Sequence, residues 1–195
     1  MNKNKVSLPT VTGLKLFQGS VMATQYLKTG SWSAVRSWAV NENIFDTNRT
    51  ETSARYASHV IKMISTLNQE QLHILSEGDS SEQLAMLWLG FCRTFDVVGW
   101  FAKEIIHEKY VSKDFNLTRN DFMAFLISKS DSVPELKEIG ASSRSKLQSV
   151  VFHNLGEAGF ISATGEIQTA MLSYSVLRSL DEGEIAFFPF QEVYA

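Results

Sequence analysis

Polar and basic side chains recur at helical spacing between residues 49 and 62, and their chemistry suits a phosphate group. A polar stripe at intervals of three, four and three residues consists of Thr52, Arg55, His59 and Lys62. Residues so spaced share one face of a helix. Arg49 and Thr50 precede them at the positive end of the helix dipole, where an anion is stabilised. The pattern predicts a nucleic-acid contact; the alternative is an ordinary solvated helix face.

A second set of hydrogen-bond donors heads a later predicted helix. It consists of Ser143, Arg144, Lys146 and Gln148. The apolar residues Leu147 and Val151 define the inward face of this helix, so the donors are expected to project away from the core. The serines could equally serve only as helix caps.

Residue types that would support catalysis or metal binding do not converge in the sequence. The four histidines lie at 59, 73, 107 and 153, with no Cys or His pair at ligand spacing. Eleven scattered glycines form neither a Walker nor a dinucleotide-binding pattern. We therefore expect no enzyme activity, no cofactor, no metal and no small-molecule substrate.

Charge is distributed unevenly along the 195 residues. Residues 1–66 carry eight Lys/Arg and three Asp/Glu, whereas residues 67–195 carry ten and eighteen, for a net charge of −3. A basic first third on an acidic protein can mark a surface that faces a polyanion. Chance and an internal match between oppositely charged parts remain the alternative.

Cysteine content and hydropathy predict a cytoplasmic protein that does not enter a membrane. The single Cys92 cannot form an internal disulfide, which favours a reducing compartment. The N-terminus lacks the apolar region of a signal peptide. The longest apolar run, residues 84–92, is far shorter than the roughly 20 residues that span a bilayer.

The periodicity predicts a mainly α-helical bundle with helix-turn-helix and winged-helix-like units and one small β-hairpin. Residues 31–66 have the order of a helix-turn-helix, and residues 119–170 have that of a winged helix, with the hairpin at 160–169. The predicted parts are a flexible basic arm (1–13), a helix-turn-helix-like unit (14–78), central apolar helices (79–117), a winged-helix-like unit (118–183) and an aromatic tail (184–195).

Local signals place the ends of these helices. Side chains suited to cap helix N-termini are Ser31, Thr50, Asn68, Thr118, Ser142 or Ser143, and Ser173. Gly30 and Gly159 are expected to end helices. The long apolar stretch after residue 79 is expected to break near Phe95–Gly99. The tail aromatics Phe187, Phe188, Phe190 and Tyr194 are expected to cover the core, with partner contact as the alternative.

Two segments together resemble a known family. The first, ENIFDTNRTETSARYASHVIKMI, is a basic amphipathic helix after an Asn-rich turn; the second, SSRSKLQSVVFHNLGEAGFIS, is a Ser/Arg-headed helix that runs into the hairpin. With the apolar helix between them, they resemble the BrxA proteins of the BREX bacteriophage-exclusion systems over residues 14–180. The resemblance implies a cytoplasmic, non-enzymatic defence component, partly similar to the antitermination factor NusB.

The resemblance also implies binding of double-stranded DNA, with candidate contacts at Arg49, Thr52, Arg55, His59 and Lys62, and at Ser143, Arg144, Lys146 and Gln148. Two alternatives remain open. One is a scaffold that holds other BREX components through its acidic C-terminal surface and aromatic tail. The other is an RNA-binding protein similar to NusB.

Overall fold

The structure, a computed structural model, describes residues 6–190, and these are mainly helical. The helices are α1 (Leu16–Thr29), α2 (Trp32–Asn41), α3 (Thr50–Ile64), α4 (Gln69–Glu77), α5 (Ser80–Thr94), α6 (Asp96–Phe101), α7 (Glu108–Val111), α8 (Arg119–Ser130), α9 (Ala141–Glu157) and α10 (Tyr174–Ser179). A π-helical segment (Ala102–His107) joins α6 to α7. Short 3-10 helices occupy Pro134–Leu136 and Ile185–Phe187. The expected mainly α-helical class is confirmed.

Side-chain caps begin several helices as their sequences predict. The hydroxyl of Ser31 accepts a hydrogen bond from the backbone N–H of Ala34, and that of Ser173 accepts from Val176. Full capping boxes open α4 and α8, at Asn68 and Thr118. Each of these bonds reaches three residues along the chain, so the local sequence suffices to predict it.

Two predicted caps were wrong. Helix α3 begins at Thr50 and has Arg49 as its N-cap, without a side-chain cap. Helix α9 begins at Ala141 after Gly140, so neither Ser142 nor Ser143 caps it. The serines lie inside the first turn of α9, where their hydroxyls are exposed.

The chain forms two compact units that alternate along the sequence. The N-terminal unit comprises residues 14–94 and 171–180; the C-terminal unit comprises residues 6–13, 95–170 and 181–190 of the described chain. Within the apolar stretch, the boundary between the two units falls between Thr94 and Phe95. Helix α5 ends at Thr94, and α6 begins at Asp96. The break expected near Phe95–Gly99 is therefore confirmed.

In the N-terminal unit, α5 lies at the centre of the core. Its side chains from Ala85 to Cys92 are buried all round, including the fully buried Trp88. Glycines bring two other helices close to it: a Cβ on Gly90 would lie 2.8 Å from the carbonyl oxygen of Met63 in α3, and one on Gly19 in α1 would meet the side chain of Leu87. These contacts let α1 and α3 pack directly on α5.

The C-terminal unit has an aromatic core. Phe101 packs edge-on against Phe122 of α8, with ring centroids 4.8 Å apart, and Phe152 of α9 lies against both. Phe188 is fully buried against Phe160, and its carbonyl oxygen is 3.0 Å from Nδ1 of His107. The expectation that Phe187 and Phe188 cover the core is confirmed; Tyr194 lies outside the described residues.

The segment predicted as a β-hairpin turns but forms no strand in the described part of the chain. Pairing is limited to single antiparallel bridges, Ile161 with Ile167 and Asn116 with Glu166. Gly165 makes the turn at a φ of +85°, and its carbonyl oxygen accepts from the N–H of Leu117. The segment 115–117 also pairs with residues 165–167. Without strands in the described residues, the expected hairpin and the winged-helix-like unit built on it are not supported.

Among residues 6–190, no single helix has the length and hydropathy needed to cross a membrane. The segments 80–94 and 96–111 have that length and hydropathy only when they are taken together.

Candidate nucleic-acid interface

Helix α3 presents part of the polar stripe to solvent and buries the rest. Arg55 and Lys62 are exposed and lie two turns apart on one side of the helix. Thr52 is half-buried, and His59 is buried, with 9% of its surface exposed. The expectation that His59 lies on the exposed face was wrong: α1, α2 and α5 all pack against α3, and its buried side extends beyond the apolar residues.

A guanidinium from α2 joins Arg55 and Lys62. Nε of Arg36 donates to Oγ of Ser58 at 2.9 Å, and Ser58 lies in the same helical row, between Arg55 and Lys62. Arg36 and Ser58 are both exposed. The packing of α2 against α3 therefore brings three cations onto one surface.

Lys15, just before α1, adds a fourth cation. Its Nζ lies 5.5 Å from the centroid of the Tyr56 ring, and the guanidinium carbon of Arg55 lies 5.3 Å from the same centroid. Contact with an aromatic face stabilises a cation and orients it. We call the surface formed by Lys15, Arg36, Arg55 and Lys62 the basic face.

The pKa of His59 is lowered partly by this concentration of charge. Burial, followed by the positive charges of Lys62 and Lys15, lowers the pKa of His59 to about 4. His59 is therefore neutral at physiological pH, and the two lysines are close enough to act on it electrostatically.

Carboxylates do not neutralise the arginines of the basic face. In the part of the chain that the structure describes, no Asp or Glu lies within ion-pair distance (4.0 Å) of Lys15, Arg36 or Arg55. Glu51 is exposed one turn before Arg55 but does not reach it. Arg49 is also exposed and unpaired with acids, at the N-cap of α3, away from the row formed by Arg55 and Lys62.

A family model for BrxA matches residues 12–183 of the chain. The chain belongs to the BrxA family. Two relatives carry the name of this family. The "BREX protein BrxA" of Bacillus cereus (strain H3081.97) is 26% identical over 155 residues, covering 76% of this chain and 78% of that protein. The "BREX protein BrxA" of Escherichia coli O9:H4 (strain HS) is 25% identical over 122 residues, covering 63% of this chain and 57% of that protein.

A solved structure has the same fold as this BrxA family member. The crystal structure of an uncharacterized protein from Magnetospirillum magneticum superposes with a TM-score of 0.73 at 18% identity, covering 90% of this chain and 91% of that one. Similarity at this level of identity establishes the fold alone. The family resemblance stated from the sequence is confirmed by the family model and the two relatives.

The four candidate residues of α9, in the C-terminal unit, differ in their exposure to solvent. Ser143 and Lys146 are exposed. Arg144 is half-buried, and its Nη2 donates to the carbonyl oxygens of Leu136 and Lys137 at 3.2 and 3.4 Å. That arginine ties the 3-10 helix to α9 rather than facing solvent.

Gln148 of α9 is buried, with 9% of its surface exposed, so the expectation that it projects outward was wrong. Its Nε2 donates to the carbonyl oxygen of Arg119 at 2.6 Å, and its Oε1 accepts from Nη1 of Arg119 at 3.4 Å. Both polar ends of Gln148 are thereby used to attach α9 to the start of α8.

Two members of the basic face do not follow from the sequence pattern. Arg36 belongs to another helix, and Lys15 precedes α1, so neither shares the spacing of the polar stripe. A usable signal was nevertheless present: Arg36 follows the buried Val35 by one position, on the edge of the inward face of α2, where a long side chain can reach a neighbouring helix.

Proposed function

We propose that this chain is a non-enzymatic component of a BREX phage-defence system and binds double-stranded DNA through the basic face. The observation that carries the proposal is the hydrogen bond from Arg36 to Ser58, which places a guanidinium of α2 in the row of Arg55 and Lys62. The BrxA relatives, named as BREX proteins, support the cellular role. The proposal implies a cytoplasmic location and contact with other BREX components.

The spacing of these cations suits a duplex backbone. Arg55 and Lys62 are seven residues apart, which is about 10 Å along a helix axis, and Arg36 lies beside the midpoint of that span. Phosphates of one strand repeat about every 3.4 Å along the duplex axis, so a span of about 10 Å covers several of them, and the three side chains can contact nearby phosphates. Contacts of this kind give affinity without base specificity. In this arrangement α2 and α3 act as a helix-turn-helix-like pair.

Fluorescence anisotropy with a labelled 20-base-pair duplex tests the proposal. With four to six phosphate contacts, the logarithm of affinity should fall against the logarithm of salt with a slope of about −4 to −5. The triple variant Arg36→Gln, Arg55→Gln, Lys62→Gln should flatten the slope by about 3 and weaken binding at 0.1 M salt by roughly two to three orders of magnitude.

The matched control carries the same change of net charge elsewhere. Lys113→Gln, Lys137→Gln and Arg178→Gln replace three exposed cations outside the basic face. This variant should keep nearly all the affinity of the unmodified chain. Equal losses in the two triple variants would show that only net charge matters, and absence of binding at 20 mM salt would refute the proposal.

Competition with RNA separates the main alternative. If the ligand is duplex DNA, unlabelled duplex should displace the labelled probe, and single-stranded RNA of equal length should do so at least about tenfold less well. The reverse order would favour the RNA-binding alternative instead.

A further inference from the structure

A polar groove in the C-terminal unit belongs to none of the sites predicted from the sequence. It encloses about 580 Å³ among the start of α8, the middle of α9 and the turn at 161–165. Volumes of this size accommodate a nucleotide-sized ligand. Its lining carries one guanidinium, that of Arg119, and no carboxylate. A groove of this composition favours an anion.

Arg119 lies at the wall of the groove, and its exposed side chain has two contacts that orient it. Its carbonyl oxygen and its Nη1 both bond to the buried Gln148, at 2.6 and 3.4 Å. Its guanidinium carbon lies 5.4 Å from the centroid of the Phe152 ring. Because both contacts orient the planar group before a ligand arrives, less conformational entropy is lost on binding.

Two hydroxyl groups of the turn line the same groove as Arg119. Oγ of Ser162 and Oγ1 of Thr164 lie 2.8 Å apart, so one hydroxyl bonds to the other and the second keeps its hydrogen for a ligand. His153 lines the same groove, and its Nε2 lies 3.2 Å from Oε1 of Glu157, which lines the adjoining groove. The imidazole is thus oriented by a neighbouring carboxylate.

Gly165 fixes the width of the groove. Its φ of +85° is unfavourable for other residues, and a Cβ there would lie 2.9 Å from the carbonyl oxygen of Leu117. Only glycine lets the turn approach the segment before α8 this closely. The hydroxyl pair is consequently held at the edge of the groove, in the same lining as Arg119.

We propose that this groove binds a phosphate group. Arg119 supplies the charged donor, and the Ser162–Thr164 pair supplies a hydroxyl donor; arginine pairs with phosphate oxygens in this way because its donors form a planar fork. The phosphate can come from a free nucleotide or from a nucleic-acid backbone. The site does not depend on the basic face, which lies in the other unit.

Amide chemical-shift mapping on the full ¹⁵N-labelled chain tests this site, with three probes: inorganic phosphate, AMP and an unlabelled 20-base-pair duplex. If free phosphates are the ligand, phosphate and AMP should saturably shift amides at 118–120, 149–153 and 162–165. If a backbone phosphate is the ligand, only the duplex should shift them. Failure of all three probes to shift these amides would overturn the proposal.

Arg119→Gln should weaken the responding probe about tenfold or more, as expected for loss of a hydrogen bond to a charged group. Lys137→Gln makes the same charge change at an exposed position outside the groove and should leave affinity unchanged. Thr164→Val, at an exposed turn position, gives a second variant and should weaken binding about threefold or more. Unaltered affinity in both Arg119→Gln and Thr164→Val would reject the site.

The same experiment separates this site from the proposed function. In the triple variant of the basic face, phosphate or AMP should shift the groove amides as in the unmodified chain. If the duplex is the responding probe, its affinity should fall in that variant, but at saturating duplex the groove amides should still shift.

Discussion

Helices α3 and α9 each carry four candidate contact residues, yet the structure uses the two sets differently. On α3, Arg55 and Lys62 are exposed, whereas on α9 both Arg144 and Gln148 bond to backbone carbonyls. The difference lies in the neighbours: the last carbonyls of the 3-10 helix lack partners within that helix and accept from Arg144, and the carbonyl of Arg119 accepts from Gln148. A polar side chain on a helix is available to a ligand only where it is not already hydrogen-bonded to a nearby backbone group.

The largest expected change in stability concerns His59, the buried member of the α3 set. Between pH 6.5 and pH 4 the unfolded chain protonates His59 but the folded chain does not, because its folded pKa is about 4. Stability contributed by the neutral imidazole is complete above pH 6.5 and is lost as the pH falls through this window. We expect about 3 kcal/mol of unfolding free energy to disappear by this route.

Urea unfolding followed by circular dichroism at pH 7, 6, 5 and 4 measures this loss. His59→Leu should be less sensitive to acid by about that amount, while the matched His73→Leu, at an exposed position, should follow the unmodified chain. Identical pH profiles for the His59 variant and the unmodified chain would mean that His59 is accessible, and the contrast within α3 would fail.

The second effect concerns Gln148 of α9. Gln148→Leu keeps a similar volume but removes both bonds to Arg119, so we expect a loss of about 2 kcal/mol in the free energy of unfolding. Urea titration at pH 7 measures it. Ser149→Ala, at the exposed neighbouring position, should cost less than about 0.5 kcal/mol; a similar small cost for Gln148→Leu would contradict a structural role.

Arg144 should show a smaller effect of the same kind. Arg144→Met retains the aliphatic stem and loses the hydrogen bonds to Leu136 and Lys137, at a cost of about 1 kcal/mol. Lys146→Met, two positions away and exposed, serves as the control and should be nearly neutral in thermal unfolding. If the two variants melt alike, Arg144 is as free as Lys146, and the two helices do not differ as described.

The smallest stability effect is expected on the basic face. Arg55→Gln should change the free energy of unfolding by less than about 0.5 kcal/mol, since its exposed guanidinium lies against the Tyr56 ring. Its duplex affinity at 0.1 M salt should nevertheless fall about fivefold or more. Anisotropy and urea titration on one preparation give both values, and a destabilised Arg55 variant would remove the distinction between α3 and α9.

Local signals predicted the parts of the fold that are decided within a few residues. The caps at Ser31, Asn68, Thr118 and Ser173 and the break before Asp96 follow from side chains that bond or stop a helix nearby. The predicted hairpin is not supported beyond its turn and single bridges, and the sequence did not show that the distant segment 115–117 pairs with the same residues.

The candidate site shows the same limit. Periodicity correctly placed Arg55 and Lys62 on the outside of α3. It could not show that His59 is buried, or that Gln148 is buried and donates to the carbonyl oxygen of Arg119. Nor could it include Arg36, whose place beside Ser58 is set by how α2 crosses α3. Burial at the edge of a helix face and the approach of a second helix are tertiary properties, and they decided the composition of the basic face.

The alternation of the two units along the chain limits how the protein can be dissected. A fragment ending at residue 94 would lack α10, and with it the carbonyl oxygen of Ser179, which Nε2 of the buried Gln71 reaches at 2.6 Å. Likewise, truncation after residue 183 would delete Phe188 from the aromatic core. Neither unit is a contiguous piece of polypeptide, so a deletion that reduced binding could do so by causing misfolding. Point substitutions avoid this ambiguity.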